Sequence, residues 1–314
     1  MNARPLLAAL VTGLSFATIA PAQAAAPDPA PAPAAAPDFS KTQIVTHDLG
    51  NKTYMLVGTG GNMTVAVGSD AVFLVDTEYA PLHDKIKAAI AAVSDKPVKY
   101  ALNTHLHGDH SGGDAPFAKE GTTVIAHRNV RKRLAAGTTN ALTGAKTPPV
   151  SGDALPSKTY GEQLTIDYGQ RKVEIRHPHN AHTDGDSYAW FPDANVLATG
   201  DIVTVGGRYP NIDVGSGGSI QGMIQGVETY MKISNDETKI VPGHGPLLTR
   251  AQLATYLTLL QTAEARVQAL VKEGKSEDET VAAHPLMTLD AAAGANAQAS
   301  DNFVRLIYRS LKKH

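Results

Sequence analysis

The segment HLHGDH, from His105 to His110, places three histidines and one aspartate within six residues. Neutral imidazole nitrogen and carboxylate oxygen are ordinary ligands of zinc and similar divalent ions. On an extended loop alternate side chains point the same way, so His105 and His107 can bind one ion while Asp109 and His110 turn toward another. Gly108 gives the turn between them freedom. A surface loop that is rich in histidine by chance is the alternative interpretation.

The pattern around this segment alternates apolar strands with amphipathic helices. HLHGDH follows a predicted strand, Tyr100 to Thr104, and precedes a short helix that ends near Lys119. Upstream, TYMLVG and MTVAVG are predicted to form a hairpin, and AVFLVD has the continuous apolar character of a buried strand. Leu82, Ile86 and Ile90 then recur at helical spacing.

A second run of strands follows, in the order QLTIDY, KVEIRH, SYAWF, NVLATGD and TKIVPGHG, with a helix predicted near Ile220 to Met231. Two such runs, each interrupted by helices, predict an α/β protein: a four-layer αβ/βα sandwich with two sheets face to face and helices outside. From about residue 249 the chain becomes helical, ending in a helix near Phe303 to Leu311 whose arginines, Arg305 and Arg309, we expect on a solvated face.

Three further candidate ligands lie at strand ends, where side chains from several strands can converge on one sheet edge. They are His182, after KVEIRH, Asp201, which ends NVLATGD, and His244, at the end of TKIVPGHG. The other histidines are not predicted as ligands: His127, which packs or lines the pocket, His177 and His179, which precede the third ligand, and His47, His83, His284 and His314, which we expect at the surface.

Over roughly residues 42–248 the chain resembles the metallo-β-lactamase superfamily, because HLHGDH is similar to that family's H-x-H-x-D-H motif and the three later residues match its remaining ligand positions. The resemblance implies the family's fold and two divalent metal ions, with zinc expected and iron or manganese left open. It also implies these roles: His105, His107 and His182 for the first ion, Asp109, His110 and His244 for the second, Asp201 as the bridge, and Asp76 as a supporting residue.

Such a site would use a metal-activated hydroxide for hydrolysis, with Asp109 as the catalytic residue that orients the water. Its net positive charge predicts a small anionic substrate, and lactams, lactones, thioesters and sulfate or phosphate esters all qualify. Turnover of β-lactams can be the main or an incidental activity. Two other hypotheses stay open: a periplasmic zinc-binding protein without turnover, and a mononuclear iron oxygenase of the same fold.

The chain also departs from several branches of the family. It has no cysteine, which excludes the β-lactamases that carry cysteine at the position of Asp201. An aspartate there resembles the branch that includes glyoxalase II, lactonases and sulfatases. Glyoxalase II is a poor match after His244, and the oxygen-reducing di-iron relatives have glutamate where His107 stands.

Two loops are predicted to shape specificity. Gly58 to Met63 is placed to act as a hairpin flap, and Ile202 to Gly218 follows the bridging ligand directly. Within the second loop we expect Arg208 to dock a substrate carboxylate and Tyr209 to contact substrate beside it. A solvent-facing charge is the alternative for Arg208.

Composition and the N-terminus bound the remaining expectations. Lys+Arg 28 against Asp+Glu 30, without a basic stripe, argues against a nucleic-acid partner. Residues 1–24 read as a cleaved signal peptide rather than a stable membrane anchor, because the apolar run is short and ends before Ala22-Gln23-Ala24. Residues 25–38 read as an Ala/Pro-rich linker and residues 39–314 as the hydrolase domain. The expected location is periplasmic or secreted.

Overall fold

The computed structural model describes Met1 and residues 38–312. The predicted signal peptide and linker lie outside the described residues, apart from Met1 and Asp38, and so does His314. Among the helices in the described part, none is both long enough and apolar enough to cross a bilayer.

The predicted strands and helices occur in the predicted order, and the structure adds four short strands that were not predicted, at Val45–Asp48, Thr138–Thr139, Lys146–Thr147 and Lys158–Tyr160. The strands are β1 (Val45–Asp48), β2 (Thr53–Val57), β3 (Met63–Val67), β4 (Val72–Val75), β5 (Val98–Leu102), β6 (Thr123–His127), β7 (Thr138–Thr139), β8 (Lys146–Thr147), β9 (Lys158–Tyr160), β10 (Gln163–Asp167), β11 (Lys172–Arg176), β12 (Tyr188–Phe191), β13 (Val196–Ala198) and β14 (Lys239–Val241). The helices are α1 (His83–Ala91), α2 (Gly108–Ser111), α3 (Asp114–Lys119), α4 (Arg128–Ala136), α5 (Ile220–Ile233), α6 (Arg250–Lys272), α7 (Glu277–Ala282), α8 (Met287–Ala293) and α9 (Ala297–Lys312).

Two sheets dominate the described residues. The first has seven strands in the order β1-β2-β3-β4-β5-β6-β9, and the second has five in the order β10-β11-β12-β13-β14. The predicted hairpin is confirmed, since β2 pairs antiparallel with β3. In the first sheet β4 is parallel to β5, and in the second sheet β13 is parallel to β14. Within each pair, the carboxyl ends of the two strands therefore lie at the same edge of the sheet.

Three apolar layers separate the elements, which confirms the four-layer αβ/βα sandwich. In β4, Phe73 and Val75 belong to the cluster between the sheets, whereas Val72 and Leu74 face the cluster under α1. This alternation explains why the strand reads as continuously apolar: both of its faces are covered. Burying each such side chain contributes roughly 1.5 to 3 kcal/mol.

The helical C-terminal segment covers the outer face of the second sheet. It begins at α6, where Thr249 and Gln252 form a reciprocal capping box that satisfies exposed backbone amides. The apolar faces of α5, α6 and α9 share one buried cluster with residues of the second sheet, Leu197 and Ile240 among them. The tail is therefore packed as part of the sandwich.

One surface expectation is wrong. His83 is buried, because its ring packs edge-on against Phe117 and its Nε2 lies 3.1 Å from Oε1 of Glu120. Arg305 and Arg309 lie on a partly exposed face, where both guanidinium groups bind the carboxylate of Glu277, at 2.9 Å and 2.7 Å. Helical periodicity could not reveal these partners, which lie on other helices.

Arg171 ties the two sheets together from the turn between β10 and β11. Its guanidinium donates to the carbonyl of Val67 at 3.0 Å, to Oγ1 of Thr53 at 2.9 Å, and to the carboxylate of Asp193 at 2.6 Å. The side chain is only 10% exposed. Because several of its partners are backbone or hydroxyl oxygens near the sheet interface, losing the cation would leave them without a donor.

We expect Arg171→Met to lower the free energy of unfolding by about 2 to 3 kcal/mol, because the apolar stem remains while the charged hydrogen bonds are lost. The matched control is Arg176→Met, whose arginine is 53% exposed and reaches Glu174 only at 3.8 Å; it should cost less than about 0.5 kcal/mol. Urea titrations measure both. Equal losses in the two variants would contradict the role of Arg171.

Candidate metal centre

The candidate ligands meet at the edge where strands of both sheets end. The His105–His110 segment follows β5, His182 lies between β11 and β12, Asp201 follows β13, and His244 follows β14. The structure thus brings together all seven residues that the sequence predicted as ligands.

The first group consists of His105, His107 and His182, whose ring nitrogens lie within 4.8 Å of one another. Nε2 of His182 is 2.9 Å from Nδ1 of His107. These two residues are 75 positions apart in the chain. Ring nitrogens brought so close together are expected of ligands that face a common cation.

The second group consists of Asp109, His110 and His244. Nε2 of His244 lies 3.2 Å from Oδ2 of Asp109 and 3.3 Å from Nε2 of His110. Asp109 and His110 come from the first half of the chain and His244 from the second, so this group forms only where the two halves meet.

Asp201 stands between the two groups. Its Oδ2 is 4.0 Å from Nε2 of His105 and 3.8 Å from Nε2 of His182, both of the first group. The same carboxylate is 3.5 Å from Nε2 of His244 and, through Oδ1, 3.2 Å from Nε2 of His110. A carboxylate with histidines of both groups around it has the position that a bridging ligand requires.

The HLHGDH segment is not a fully extended loop. His107 is extended, but Gly108–Ser111 forms one helical turn, α2, and this turn rather than alternation directs Asp109 and His110 to the second group. The expectation that Gly108 must supply conformational freedom is wrong, because its φ is not positive and a Cβ there would meet no atom within 4 Å.

Four of the five histidines are oriented through the ring nitrogen that faces away from the site. The pairs are His105 Nδ1 with Thr104 Oγ1 at 3.0 Å, His107 Nε2 with Asp213 Oδ2 at 3.1 Å, His110 Nδ1 with Asp76 Oδ2 at 2.7 Å, and His182 Nδ1 with the Asn211 carbonyl at 2.8 Å. Such contacts select the tautomer and make the inward nitrogen a better ligand. Asp76 is therefore found in the supporting position that the resemblance implied.

Sequence reasoning did not identify the orienting roles of Thr104, Asn211 and Asp213. Thr104 adjoins the motif, and its hydroxyl also donates to Asp76 at 2.8 Å. Asn211 contributes a backbone carbonyl, for which no side-chain signal exists. Asp213 lies in the loop that follows Asp201, and nothing in the sequence places that loop beside His107.

His182 and His244, one from each group, differ in charge. Burial lowers the pKa of His182 to about 4, so its imidazole is neutral near pH 7 and its lone pair is free to bind a cation. Burial acts against protonation of His244 as well, but hydrogen bonds to Asp109 and Asp201 outweigh it and raise its pKa to about 9. The negative charge of Asp109 and Asp201, which stabilises the protonated ring of His244, also favours a divalent cation at the same place.

The donor set fits divalent metal ions. Nε2 of His105 is buried without any hydrogen-bond partner among the described residues, which is costly unless the nitrogen binds something. Five imidazoles and two carboxylates without thiolate suit zinc and similar ions. These residues therefore have the features of a divalent-metal site. Their ligand types do not identify the metal.

A cavity of about 830 Å³ opens beside the second group, lined by Asp109 and His244 together with Thr59, Tyr79 and Arg208. Arg208 is exposed and lines this cavity, and both its docking role and the solvent-facing alternative stay predictions. Substrate-sized space next to two candidate ligands is expected of a catalytic site rather than a closed structural one.

Tyr209 does not have the predicted place beside the substrate. Its ring is 6% exposed and stacks on Phe303 with a centroid distance of 4.7 Å, and its hydroxyl donates to Oδ1 of Asp290 at 2.8 Å. The side chain therefore anchors the loop to the C-terminal helices. Adjacent residues on a loop often face opposite ways, and the sequence could not show that Tyr209 faces inward.

The remaining histidines near the motif form a separate cluster. His127 stacks on His177 with a centroid distance of 3.7 Å, and its Nδ1 accepts from the backbone amide of Asn129 at the start of α4. His179 is exposed, with Nε2 3.1 Å from Glu162. None of these rings belongs to the two ligand groups.

We expect chelator-treated protein to bind two equivalents of Zn²⁺, with about tenfold or greater loss of affinity for one equivalent in His182→Ala, and for both in Asp201→Ala because Asp201 faces both groups. Metal content after equilibrium dialysis checks this. His179→Ala, an exposed histidine outside both groups, is the control and should bind like wild type. Retention of both equivalents in Asp201→Ala would contradict the bridging position.

Asp114 is a buried carboxyl group that lies four residues after His110, at the start of α3. It is fully buried, and its Oδ1 accepts from Thr77 Oγ1 and from Asn103 Nδ2, both at 2.8 Å. Burial raises the pKa of this carboxyl to about 7. An acid whose pKa is higher in the folded state holds its proton there after the unfolded chain has lost it, so stability decreases as pH rises from about 4 to about 7.

We therefore expect Asp114→Asn, which has no charge to bury, to become more stable relative to wild type as pH rises from about 5 to about 8, by on the order of 2 to 4 kcal/mol. Urea titrations at both pH values provide the measurement. Asp236→Asn, at a side chain that is 97% exposed, should follow wild type at both pH values. Parallel curves for Asp114→Asn and wild type would show that the buried carboxyl does not titrate in this range.

Comparison with known proteins agrees with this geometry. The family model of the metallo-beta-lactamase superfamily matches residues 56–244, which includes every candidate ligand. Among curated proteins, the chain is 27% identical over 150 residues to the alpha subunit of 2,4-dinitroanisole O-demethylase of Nocardioides sp. (strain JS1661), a match that covers 46% of this chain and 42% of that one. It is 25% identical over 199 residues to metallo-beta-lactamase type 2 of Bacillus cereus, covering 62% and 70%.

Solved structures show the same fold. A metallo-beta-lactamase from Pontibacter korlensis aligns with a TM-score of 0.58 at 19% identity, covering 70% of this chain and 99% of that one. An inverting sec-alkylsulfatase from Pseudomonas sp. aligns with a TM-score of 0.63 at 15% identity, covering 85% of this chain and 50% of that one. Since the family model spans more than half of the sequence, the chain belongs to the metallo-β-lactamase superfamily.

Proposed function

We propose that this protein is a hydrolase that requires two divalent metal ions and cleaves an ester-like, lactone, thioester or lactam bond of a small anionic substrate. The observation that carries the proposal is the position of Asp201, a buried carboxylate within 4.0 Å of ring nitrogens from both histidine groups. A carboxylate shared in this way serves a pair of ions rather than one.

The residues divide the work as follows. His105, His107 and His182 would hold one ion and Asp109, His110 and His244 the other. Bound divalent ions supply an acidified water and polarise the bond under attack. Asp109 is positioned to accept a proton from that water, because it is the carboxylate that both belongs to the second group and lines the cavity. Burial would raise its pKa, but His244 and His110 outweigh burial and lower it to about 2, so it is ionised.

Charge favours an anionic substrate. Asp109 and Asp201 supply two negative charges against the four of two divalent ions, so the site attracts an anionic group or a developing oxyanion. Arg208 adds a cation at the rim of the cavity. Its guanidinium can bind a substrate carboxylate through two parallel hydrogen bonds.

The similar proteins support hydrolysis without identifying the bond. One curated relative is named a metallo-beta-lactamase and one structural neighbour a sec-alkylsulfatase, which act on different substrates with one fold. A protein that only binds zinc is the second hypothesis. The open cavity beside Asp109 and His244 favours catalysis over that hypothesis, since a storage site has no need of space for substrate.

The N-terminal sequence suggests where the enzyme acts. We propose that it works outside the cytoplasm, because residues 1–24 have the short apolar run and the Ala-Gln-Ala ending of a cleaved secretory signal. Absence of cysteine is compatible with an oxidising compartment.

A panel of β-lactams, lactones, thioesters and aryl sulfates, assayed with Zn²⁺-loaded protein, tests the proposal. We expect turnover of at least one class, and a fall in kcat of about a hundredfold or more in Asp109→Ala, which removes the proton acceptor. Asp236→Ala at the exposed surface is the control. Turnover that Asp109→Ala leaves unchanged would contradict the assigned role, and two bound equivalents with no turnover anywhere would favour the zinc-binding protein.

A further inference from the structure

The hairpin loop between β2 and β3 is fastened to both halves of the second ligand group. The backbone amide of Gly61 donates to the carbonyl of Asp109 at 3.1 Å, and the next amide, that of Asn62, donates to the carbonyl of Gly243 at 2.7 Å. Two consecutive residues therefore hold the loop of Asp109 and the loop of His244. We call these two residues, which lie in the segment expected to act as a hairpin flap, the Gly61–Asn62 bracket.

Asn62 makes further contacts with the His244 loop through its side chain. Its Nδ2 donates to the carbonyls of Pro242 and Gly245, each at 2.9 Å. Together with its backbone amide, Asn62 binds the carbonyls of three of the four residues from 242 to 245 and leaves out only that of His244 itself. The side chain is 6% exposed, so these bonds are protected from competing water.

His244 has particular need of this support. The other four histidines of the site have their outward ring nitrogen held by a hydroxyl, a carboxylate or a carbonyl. Among the described residues, no such partner accepts from Nδ1 of His244, whose recorded ring contacts run through Nε2 toward the site. Its position therefore depends on its backbone.

The backbone of His244 is held from two sides. On one side its carbonyl accepts from the amide of Val205 at 3.0 Å, and the amide of Gly243 donates to the carbonyl of Gly200 at 2.9 Å. Both of these partners follow β13 and belong to the same half of the chain as His244. On the other side stands Asn62, which belongs to the half that carries Asp109 and His110.

The fit of the bracket against the site is close. A Cβ at Gly61 would lie 2.2 Å from Cε1 of His110, so only glycine lets the loop approach this ring. The amide of Gly60 donates to Oε1 of the buried Glu78 at 2.9 Å, which anchors the loop on its far side. The bracket is thus held by Glu78 and Asp109, within its own half of the chain, in addition to its bonds with the Pro242–Gly245 loop.

We propose that Asn62 is a positioning residue for the second metal ion: by binding three carbonyls around His244 it sets the distance from His244 to Asp109 and His110, and with it the affinity of that group for metal. The inference rests on the proposed function with two ions. Asn62 also lines the cavity beside Asp109 and His244. Its hydrogen bonds go to backbone carbonyls rather than to ligand side chains, so it acts on the metal ion through His244.

Zn²⁺ titration of chelator-treated Asn62→Asp, with a competing chromogenic chelator, tests the proposal. Aspartate has nearly the same shape but cannot donate to the Pro242 and Gly245 carbonyls. We expect the affinity for one Zn²⁺ equivalent to fall about ten- to a hundredfold, while that for the other equivalent stays within about twofold of wild type. Asn62→Ala, which keeps the backbone bond to Gly243, is titrated in parallel in case the buried carboxylate prevents folding.

Two matched variants separate the inference from a general loss of structure. Asn195→Asp alters an asparagine that also joins two chain segments, through Asn235 and Thr238, and should leave both affinities unchanged. Asp213→Ala removes the partner of His107 and should weaken the equivalent that Asn62→Asp spares. A double variant, Asn62→Ala with His244→Ala, should bind Zn²⁺ no more weakly than His244→Ala alone, because Asn62 acts through that ligand.

The outcomes are distinct. Unchanged affinity for both equivalents in the folded Asn62 variants, or an equal loss for both, would overturn the inference and leave the proposed function standing. Wild-type protein that binds one equivalent only would overturn the function with two ions, and the inference with it. Selective loss of one equivalent supports both.

Discussion

The site depends on one buried carboxylate placed among imidazoles from both halves of the chain. Asp201 is within 4.0 Å of the nitrogens of His105, His110, His182 and His244. Burial would raise the pKa of Asp201, but the charge and the hydrogen bond of His110 outweigh burial and keep it well below its usual value. An ionised carboxylate at this depth requires a compensating positive charge, and under the proposed function a metal ion on each side supplies it.

Two residues that support the site have backbone conformations that are unfavourable for residues other than glycine. At the end of β4, Asp76 and Glu78 have φ of 63° and 54°, in the left-handed region. Each costs about 1 kcal/mol or more. The cost at Asp76 is offset by its hydrogen bonds with His110 and Thr104, and the cost at Glu78 by its hydrogen bond with Gly60. Strain at these positions therefore orients a ligand and seats the bracket beside it.

Much of the fold and the ligand set could be predicted from local patterns. The apolar run of β4 reflects burial on both faces, and the HLHGDH segment, with the strand-end residues His182, Asp201 and His244, indicated one shared site. The contacts that orient those ligands could not be predicted. Asn211 acts through a carbonyl, Asp213 through a loop whose position depends on packing, and Asn62 through three carbonyls about 180 residues away in the chain.

Sequence patterns were enough for the main strands and helices and, with the family resemblance, for the identity of the candidate ligands, because hydrophobic period and ligand motifs are properties of neighbouring residues. Packing alone decided that Tyr209 is buried against Phe303 and that the ring of His83 packs against Phe117 of a neighbouring helix. Each of these depends on contacts between segments far apart in the chain. Such contacts arise only when the sheets close on each other, and no local pattern encodes them.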